Sequence, residues 1–205
     1  MSETRSYPRR VQTEAGEIEL RLMSPADEVA VLDFAQKLPV HDLLFLPRNI
    51  SEPKVLSAWV KEIERGAITS LLAVKNGTVV GCGTLVRDPH SWSPHVGEIR
   101  MVVSQDVRGQ GVGRVVSQET FALALGAGLE KLSVQMTVDQ RAAITLFEGL
   151  GFKAEALLRD HVRDVNGTKH DIVVLGQDVA QVRAQLEAYG LPGAVQGLAD
   201  AGRNG

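Results

Sequence analysis

The chain has 205 residues, 44% of them hydrophobic and 23% charged, with a formal net charge of −3. Such a composition supports one globular domain with a packed core and excludes both wholesale disorder and the basic excess of a nucleic-acid-binding module. A lone cysteine, Cys82, leaves no intramolecular disulfide and fits a reducing, cytoplasmic setting, and no apolar run nears the roughly 20 residues that span a membrane.

Residues 1–15 read as a flexible polar arm; Arg5, Arg9 and Arg10 precede no apolar stretch of the kind a secretory signal needs. From Glu17 to Leu22 apolar and charged residues alternate, the pattern of a half-buried strand. Ser24-Pro25-Ala26-Asp27 places an N-cap, a proline and an acid at the start of a helix running to about Leu38. Ser51-Glu52-Pro53 starts a second helix, through Leu56, Trp59, Val60 and Ile63 to near Gly66. Ile68 to Val74 and Thr78 to Val86 are strands joined by Asn76-Gly77, a strong hairpin signal. After a loop over Pro89 to Pro94 come the strand Val96 to Val103, the loop Ser104 to Gly111 and a helix from Val112 to about Gly126. Lys131 to Met136 is a strand, and Gln140 to Leu150 a helix closed by Gly151. Phe152 to Val165 and Thr168 to Gly176 are strands around Asn166-Gly167, a turn that would set Arg163 opposite His170. Asp178 caps a last helix that stops at Gly190, and the Gly- and Ala-rich stretch from Leu191 reads as a frayed tail. The expected organisation is therefore an arm (1–15), a domain (16–176), and a C-terminal helix and tail (177–205). The fold class is α/β or α+β, a mixed sheet with helices on its faces.

The loop before the third long helix carries the chemistry. Arg108-Gly109-Gln110-Gly111-Val112-Gly113-Arg114 joins a buried strand to a helix. A helix start offers free backbone N–H groups and a partial positive charge, and glycines let a phosphate approach the backbone. A P-loop would need Gly-Lys-Ser/Thr at its end, and a dinucleotide fingerprint would need glycine where Arg114 stands. From the loop alone two readings stand, a diphosphate cradle or a tight turn with close helix packing.

Arg108-x-x-Gly111-x-Gly113, preceded by Glu98-Ile-Arg-Met-Val-Val103, resembles the acetyl-CoA-binding motif of GNAT (Gcn5-related) N-acetyltransferases, Arg/Gln-x-x-Gly-x-Gly/Ala. Asp139-Gln-Arg-Ala142 running to Leu150-Gly151-Phe152 resembles that family's second conserved segment, where asparagine is commoner than Asp139. The likeness covers about Gly16 to Gly176. It implies a mostly antiparallel sheet of about seven strands, with helices on both faces. The fourth and fifth strands counted from Glu17 (96–103 and 131–136) would splay apart. The backbone of Met101, Val102 and Val103 would then pair with the pantetheine arm of acetyl-CoA. The segment Arg108, Gly109, Gln110, Gly111, Val112, Gly113 and Arg114 would hold the diphosphate. Asp139 and Ala142 would lie beside the distal pantetheine, and Asp139 also reads as a helix N-cap.

The resemblance implies direct attack by an amine on the thioester, with the oxyanion held by backbone N–H groups of a bulged strand. Something must accept the proton of the ammonium. Glu98, at a spacing seen in the family's lysine-modifying bacterial members, is the candidate base; its alternative is an ordinary strand residue paired to Arg100 or Arg114. Phe147 stands near where many members carry a tyrosine acid, and reads as packing. Tyr7 and Tyr189 are remote in sequence. The five histidines, His41, His90, His95, His161 and His170, lack metal-ligand spacing, so no metal is expected. His95 is a second base candidate. His161 and Arg163 share a strand face, either an acceptor surface or a hydrated one. Cys82 reads as core filler rather than a nucleophile.

The expected function is acetyl-CoA-dependent transfer to a primary amine, either a small molecule or a protein lysine. The alternatives are a non-catalytic acyl-CoA-binding sensor and a nucleotide-binding protein. No nucleic-acid or membrane partner is expected. The C-terminal helix would pack on its own domain or on a second subunit in a homodimer.

Overall fold

The computed structural model describes residues 6–179. Arg9–Thr13 (β1) and Gly16–Leu22 (β2) form a hairpin, Arg9 opposite Leu20 and Thr13 opposite Gly16. The expectation of a loose arm over residues 1–15 is thus corrected at Arg9–Thr13. Thr13 Oγ1 closes the turn, accepting from Ala15 N–H and donating to the Gly16 carbonyl. Tyr7 O–H and Arg9 Nη1 both donate to the Glu119 carboxylate, at 2.8 and 2.9 Å. The strand escapes a sequence reading because it is an edge, half-buried at alternate positions and mostly polar.

A 3-10 turn at Pro25–Asp27 leads into α1, Glu28–Gln36, and a second 3-10 turn, Val40–Leu43, precedes α2, Pro53–Glu64. Strands β3 (Ile68–Lys75) and β4 (Thr78–Arg87) meet at Asn76 and Gly77, whose φ angles of 49° and 79° are those of the tight hairpin turn that an Asn-Gly pair favours. Then follow β5 (Val96–Val103), α3 (Val112–Gly126), β6 (Lys131–Thr137), α4 (Arg141–Gly149), β7 (Lys153–Arg163) and β8 (Lys169–Asp178). The helix and tail expected over 177–205 lie outside the described residues, apart from the end of β8 and Val179.

The eight strands form one sheet in the order β1-β2-β3-β4-β5-β6-β8-β7. Every neighbouring pair is antiparallel except β5 and β6, which run parallel and are joined by a crossover through α3. The sheet is the mixed, mostly antiparallel one expected, with β1 as an added edge strand.

Alternation along β3 shows how both faces are covered. Leu72 and Val74 pack with Phe34, Leu56 and Val60 of α1 and α2, while Leu71 and Ala73 pack with Val112 and Val116 of α3. A third cluster joins Ala124 and Leu125 of α3 to Phe147 of α4 over Leu132, Val134 and Leu175. Burial of each Leu, Val or Phe among these is worth about 1.5–3 kcal/mol. The fit of α3 to the sheet depends on Gly83 in β4, where a Cβ would run into Thr120 and Val116. That close approach seats the middle of α3 directly on β4.

The last hairpin departs from expectation. Val162, not Arg163, lies opposite His170, and Arg163 faces Lys169. A longer loop replaces a two-residue turn, because the Asp164 carboxylate accepts from Asn166 N–H and Thr168 N–H and widens it.

Candidate functional site

Strands β5 and β6 pair only from Val96↔Lys131 to Ile99↔Val134. Beyond Ile99, β5 stays bonded to β4 as far as Val103↔Gly81, and β6 stays bonded to β8 as far as Thr137↔Ile172. Two otherwise complete strands therefore part, leaving a gap floored by neither. Ser104 N–H donates to the Val80 carbonyl at 2.9 Å, so position 104 turns its main chain toward β4. Main-chain groups alternate sides along a strand. Val102 accordingly bonds toward β4, and Met101 and Val103 present their N–H and C=O groups to the gap. The pairing of β5 with β4 runs without a register shift, so the bulge expected on this strand is absent from it.

The gap leads to the start of α3. Gly109 and Gly111 have φ of 72° and 85°, conformations that side chains disfavour, and Gly111 is the N-cap of the helix without any side chain capping it. Within the described residues, the N–H groups of Gly109, Gly111, Val112 and Gly113 meet no acceptor. A Cβ at Gly113 would sit 3.8 Å from Val103 Cγ2, which places the helix start beside the end of β5. Gln110 Nε2 donates to the Asp106 carbonyl, and Arg114 is exposed with no acidic partner among the described residues. Arg108 folds back: its Nε and Nη2 donate to the Val103 carbonyl at 3.2 and 3.0 Å, and Nη2 also meets Asp42 Oδ2 at 2.6 Å. A diphosphate and an amide-bearing arm fit this set of groups, since free N–H donors, an arginine and an open strand edge follow one another along a single path.

Asp139 lies past the end of β6. Its carboxylate is 2.7 Å from His41 Nε2, an ion-pair distance, although the direction is wrong for a hydrogen bond and the buried nitrogen has no other partner. Partial burial pushes the Asp139 carboxyl up, but contacts with Thr137 and with the His41 ring outweigh it and hold the group below the usual carboxylate range. The N-cap of α4 is Gln140, so Asp139 does not cap that helix with its side chain. Ala142 is exposed in the first turn of α4. The His41 ring also sets its edge against His170, centroids 5.1 Å apart, and His170 Nε2 lies 3.0 Å from Asp164.

His41 and Asp42 are the residues that sequence reasoning missed. Adjacent in the Val40–Leu43 turn, they reach opposite sides of the gap, one to Asp139 after β6 and one to Arg108 after β5. Local pattern carries no signal for this, because both partners are remote in the chain.

Glu98 and Arg100 share the face of β5 that α1 and α2 cover, as does Val102. Arg100 grips Glu98 with two hydrogen bonds, Nε to Oε1 at 2.8 Å and Nη2 to Oε2 at 2.9 Å. Of the two partners the sequence allowed, the fold selects Arg100. On the same face lies a cavity of about 410 Å³, lined by Leu46, Ile50, Trp59, Thr84, Arg100 and Met101 among others. Cys82 also borders it, yet burial pushes that thiol up to about 12, against a smaller opposite effect of Thr84, so it stays protonated near neutral pH. Phe147 is 3% exposed and packs edge-on against Phe152, centroids 5.2 Å apart; its role is packing. Tyr7 is engaged with Glu119, and Tyr189 lies outside the described residues.

The sequence model of the Acetyltransferase (GNAT) family matches residues 38–152, more than half of the chain. The chain belongs to the GNAT acetyltransferase family. GNAT structures share its architecture: an acetyltransferase of the GNAT family from Streptococcus pneumoniae superposes with a TM-score of 0.69 at 19% identity, covering 78% of this chain and 99% of that one. The Salmonella typhimurium protein yncA, solved with its cofactor acetyl-CoA, superposes with a TM-score of 0.68 at 18% identity, over 79% of this chain and 94% of its own. Among curated GNAT relatives, the mouse "probable N-acetyltransferase family 8 member 5" is 32% identical over 84 residues, 40% of this chain. The match spans only 37% of that relative's length. Within the described residues no helix is long and apolar enough to cross a membrane.

Proposed function

We propose that the protein is an acetyl-CoA-dependent N-acetyltransferase that passes the acetyl group directly to a primary amine, on a small molecule or a protein lysine. The observation that carries this reading is the unpaired edge of β5 at Met101 and Val103 leading into the uncapped start of α3. The thioester supplies an acyl carbon activated toward amines. Main-chain groups of Met101 and Val103 hold the pantetheine arm, and the segment from Arg108 to Arg114 holds the diphosphate through backbone N–H groups. Val102 supports the edge by bonding to β4. Asp139 and Ala142 flank the far end of the arm. Glu98 takes the proton of the incoming ammonium. Its two oxygens are both held by Arg100 in the free protein, so it acts once that pair loosens. Phe147 leaves the departing thiolate to take its proton from water, which a good leaving group tolerates.

Calorimetry with coenzyme A, ATP and NAD, beside thiol release from acetyl-CoA over a panel of amines, tests the assignment. Coenzyme A alone should bind, and Glu98→Gln should lower kcat/KM about 100-fold with coenzyme A affinity retained. Tight binding with no turnover of any amine would mark an acyl-CoA sensor instead.

A further inference from the structure

The cavity beside β5 has a charge pattern that selects among acceptors. Arg48 lines it, is exposed, and has no acidic partner among the described residues. Arg100, also in the lining and mostly buried, is paired with Glu98, two residues along the same strand face. The one carboxylate in the lining, Glu62, is already tied to Arg65 Nη1 at 2.7 Å. Leu46, Ile50, Val55 and Ala58 make the remaining walls apolar, and the Trp59 indole N–H is spent on Ser70 Oγ. So the cavity offers an apolar seat, two guanidinium groups and no free negative charge of its own.

We infer that the acceptor is a small amine bearing a carboxylate and an apolar body, of the amino-acid type, with its carboxylate held by Arg48 and Arg100 and its amine turned toward Glu98. This rests on reading the β5–β6 gap as the acyl-donor site. A guanidinium binds a carboxylate through paired hydrogen bonds, and the zwitterion matches the Arg100–Glu98 pair charge for charge. The substrate carboxylate competes with Glu98 for Arg100 and so releases an oxygen of Glu98 to accept the ammonium proton. The freed nitrogen lone pair then bonds the acyl carbon while the carbon–sulfur bond breaks and the thiolate leaves with its electron pair. A second proton goes from the nitrogen to solvent as the amide forms. Polyamines and lysine side chains bring positive charge to two arginines and are disfavoured. The volume, about 410 Å³, suits a small molecule.

The test is steady-state acetyl transfer by the full-length chain at saturating acetyl-CoA. Phenylalanine and leucine are compared with phenethylamine and 3-methylbutylamine, their decarboxylated forms, and with spermidine and a lysine-containing peptide. Coenzyme A binding is measured separately by calorimetry. The carboxylated amines should exceed their decarboxylated forms in kcat/KM at least about tenfold, and Arg48→Gln should collapse that ratio, mainly through KM, with partial recovery in Arg48→Lys. Equal rates with and without the carboxylate, a preference for spermidine or the peptide, or no turnover of carboxylated amines by a chain that binds coenzyme A each overturns the inference and leaves the donor site standing. Absence of coenzyme A binding removes the donor site and the inference together.

Discussion

The Arg108 guanidinium covers the Val103 carbonyl, Nε and Nη2 donating to that one oxygen at 3.2 and 3.0 Å, while Asp42 holds Nη2 from the other side. Val103 is the last residue of β5, and its carbonyl faces the gap where the strand has lost its neighbour. The side chain thus satisfies in the free protein a main-chain acceptor that a ligand would otherwise use.

From this follows a competition. Asp42 and a diphosphate are rivals for the same guanidinium, so Asp42→Asn should tighten coenzyme A binding a few-fold and Arg108→Gln should weaken it about tenfold. Both effects should shrink as salt rises, because the Asp42 pair is partly exposed. Calorimetry at low and high ionic strength reads them. Unchanged affinity in both variants would mean that Arg108 stays on Val103 with ligand bound, as a clamp on the strand end.

Phe147→Tyr restores the residue type common at this place in the family, yet it should not restore an acid. The ring is 3% exposed and wedged against Phe152, so a hydroxyl there is buried without a partner. The expected result is a loss of about 1–3 kcal/mol in stability with no gain in kcat. Urea midpoints and turnover numbers check it, and a faster, equally stable variant contradicts the placement of this ring.

Acid should weaken the fold through Asp27. Its side chain accepts from Arg21 Nη1 and Nη2 and from Ser24 N–H and Oγ, and the Arg21 pair above all holds its carboxyl below the usual 3.8. A depressed carboxyl stabilises the fold fully above its unfolded value, and the gain is lost as pH falls through the folded value. This contribution should therefore be flat above about pH 5 and decline below the usual carboxylate value. Asp27→Asn should cost about 1–3 kcal/mol at pH 7 and far less at pH 2. Urea unfolding of both proteins across that range measures the difference; equal costs at the two pH values would refute the pairing as its source.

Local pattern determined most of the elements. The Asn76-Gly77 turn, the helix that starts past Gly111 and the helix closed by Gly151 are set by φ angles that few residues adopt, and the strands by a two-residue apolar alternation. The motif from Arg108 to Gly113 was legible for the same reason, since the geometry of a strand-to-helix loop is written in adjacent residues. Tertiary structure alone decided the rest. It added β1 to the sheet through Tyr7 and Arg9 reaching Glu119, gave Glu98 to Arg100 rather than Arg114, and brought His41 and Asp42 to opposite sides of the gap. Each of these contacts except the Glu98–Arg100 pair joins residues far apart in the chain, and even that pair was one of two choices until strand pairing fixed which face Glu98 takes. Periodicity encodes which way a side chain points from its own element, but not which distant element the closed sheet sets before it.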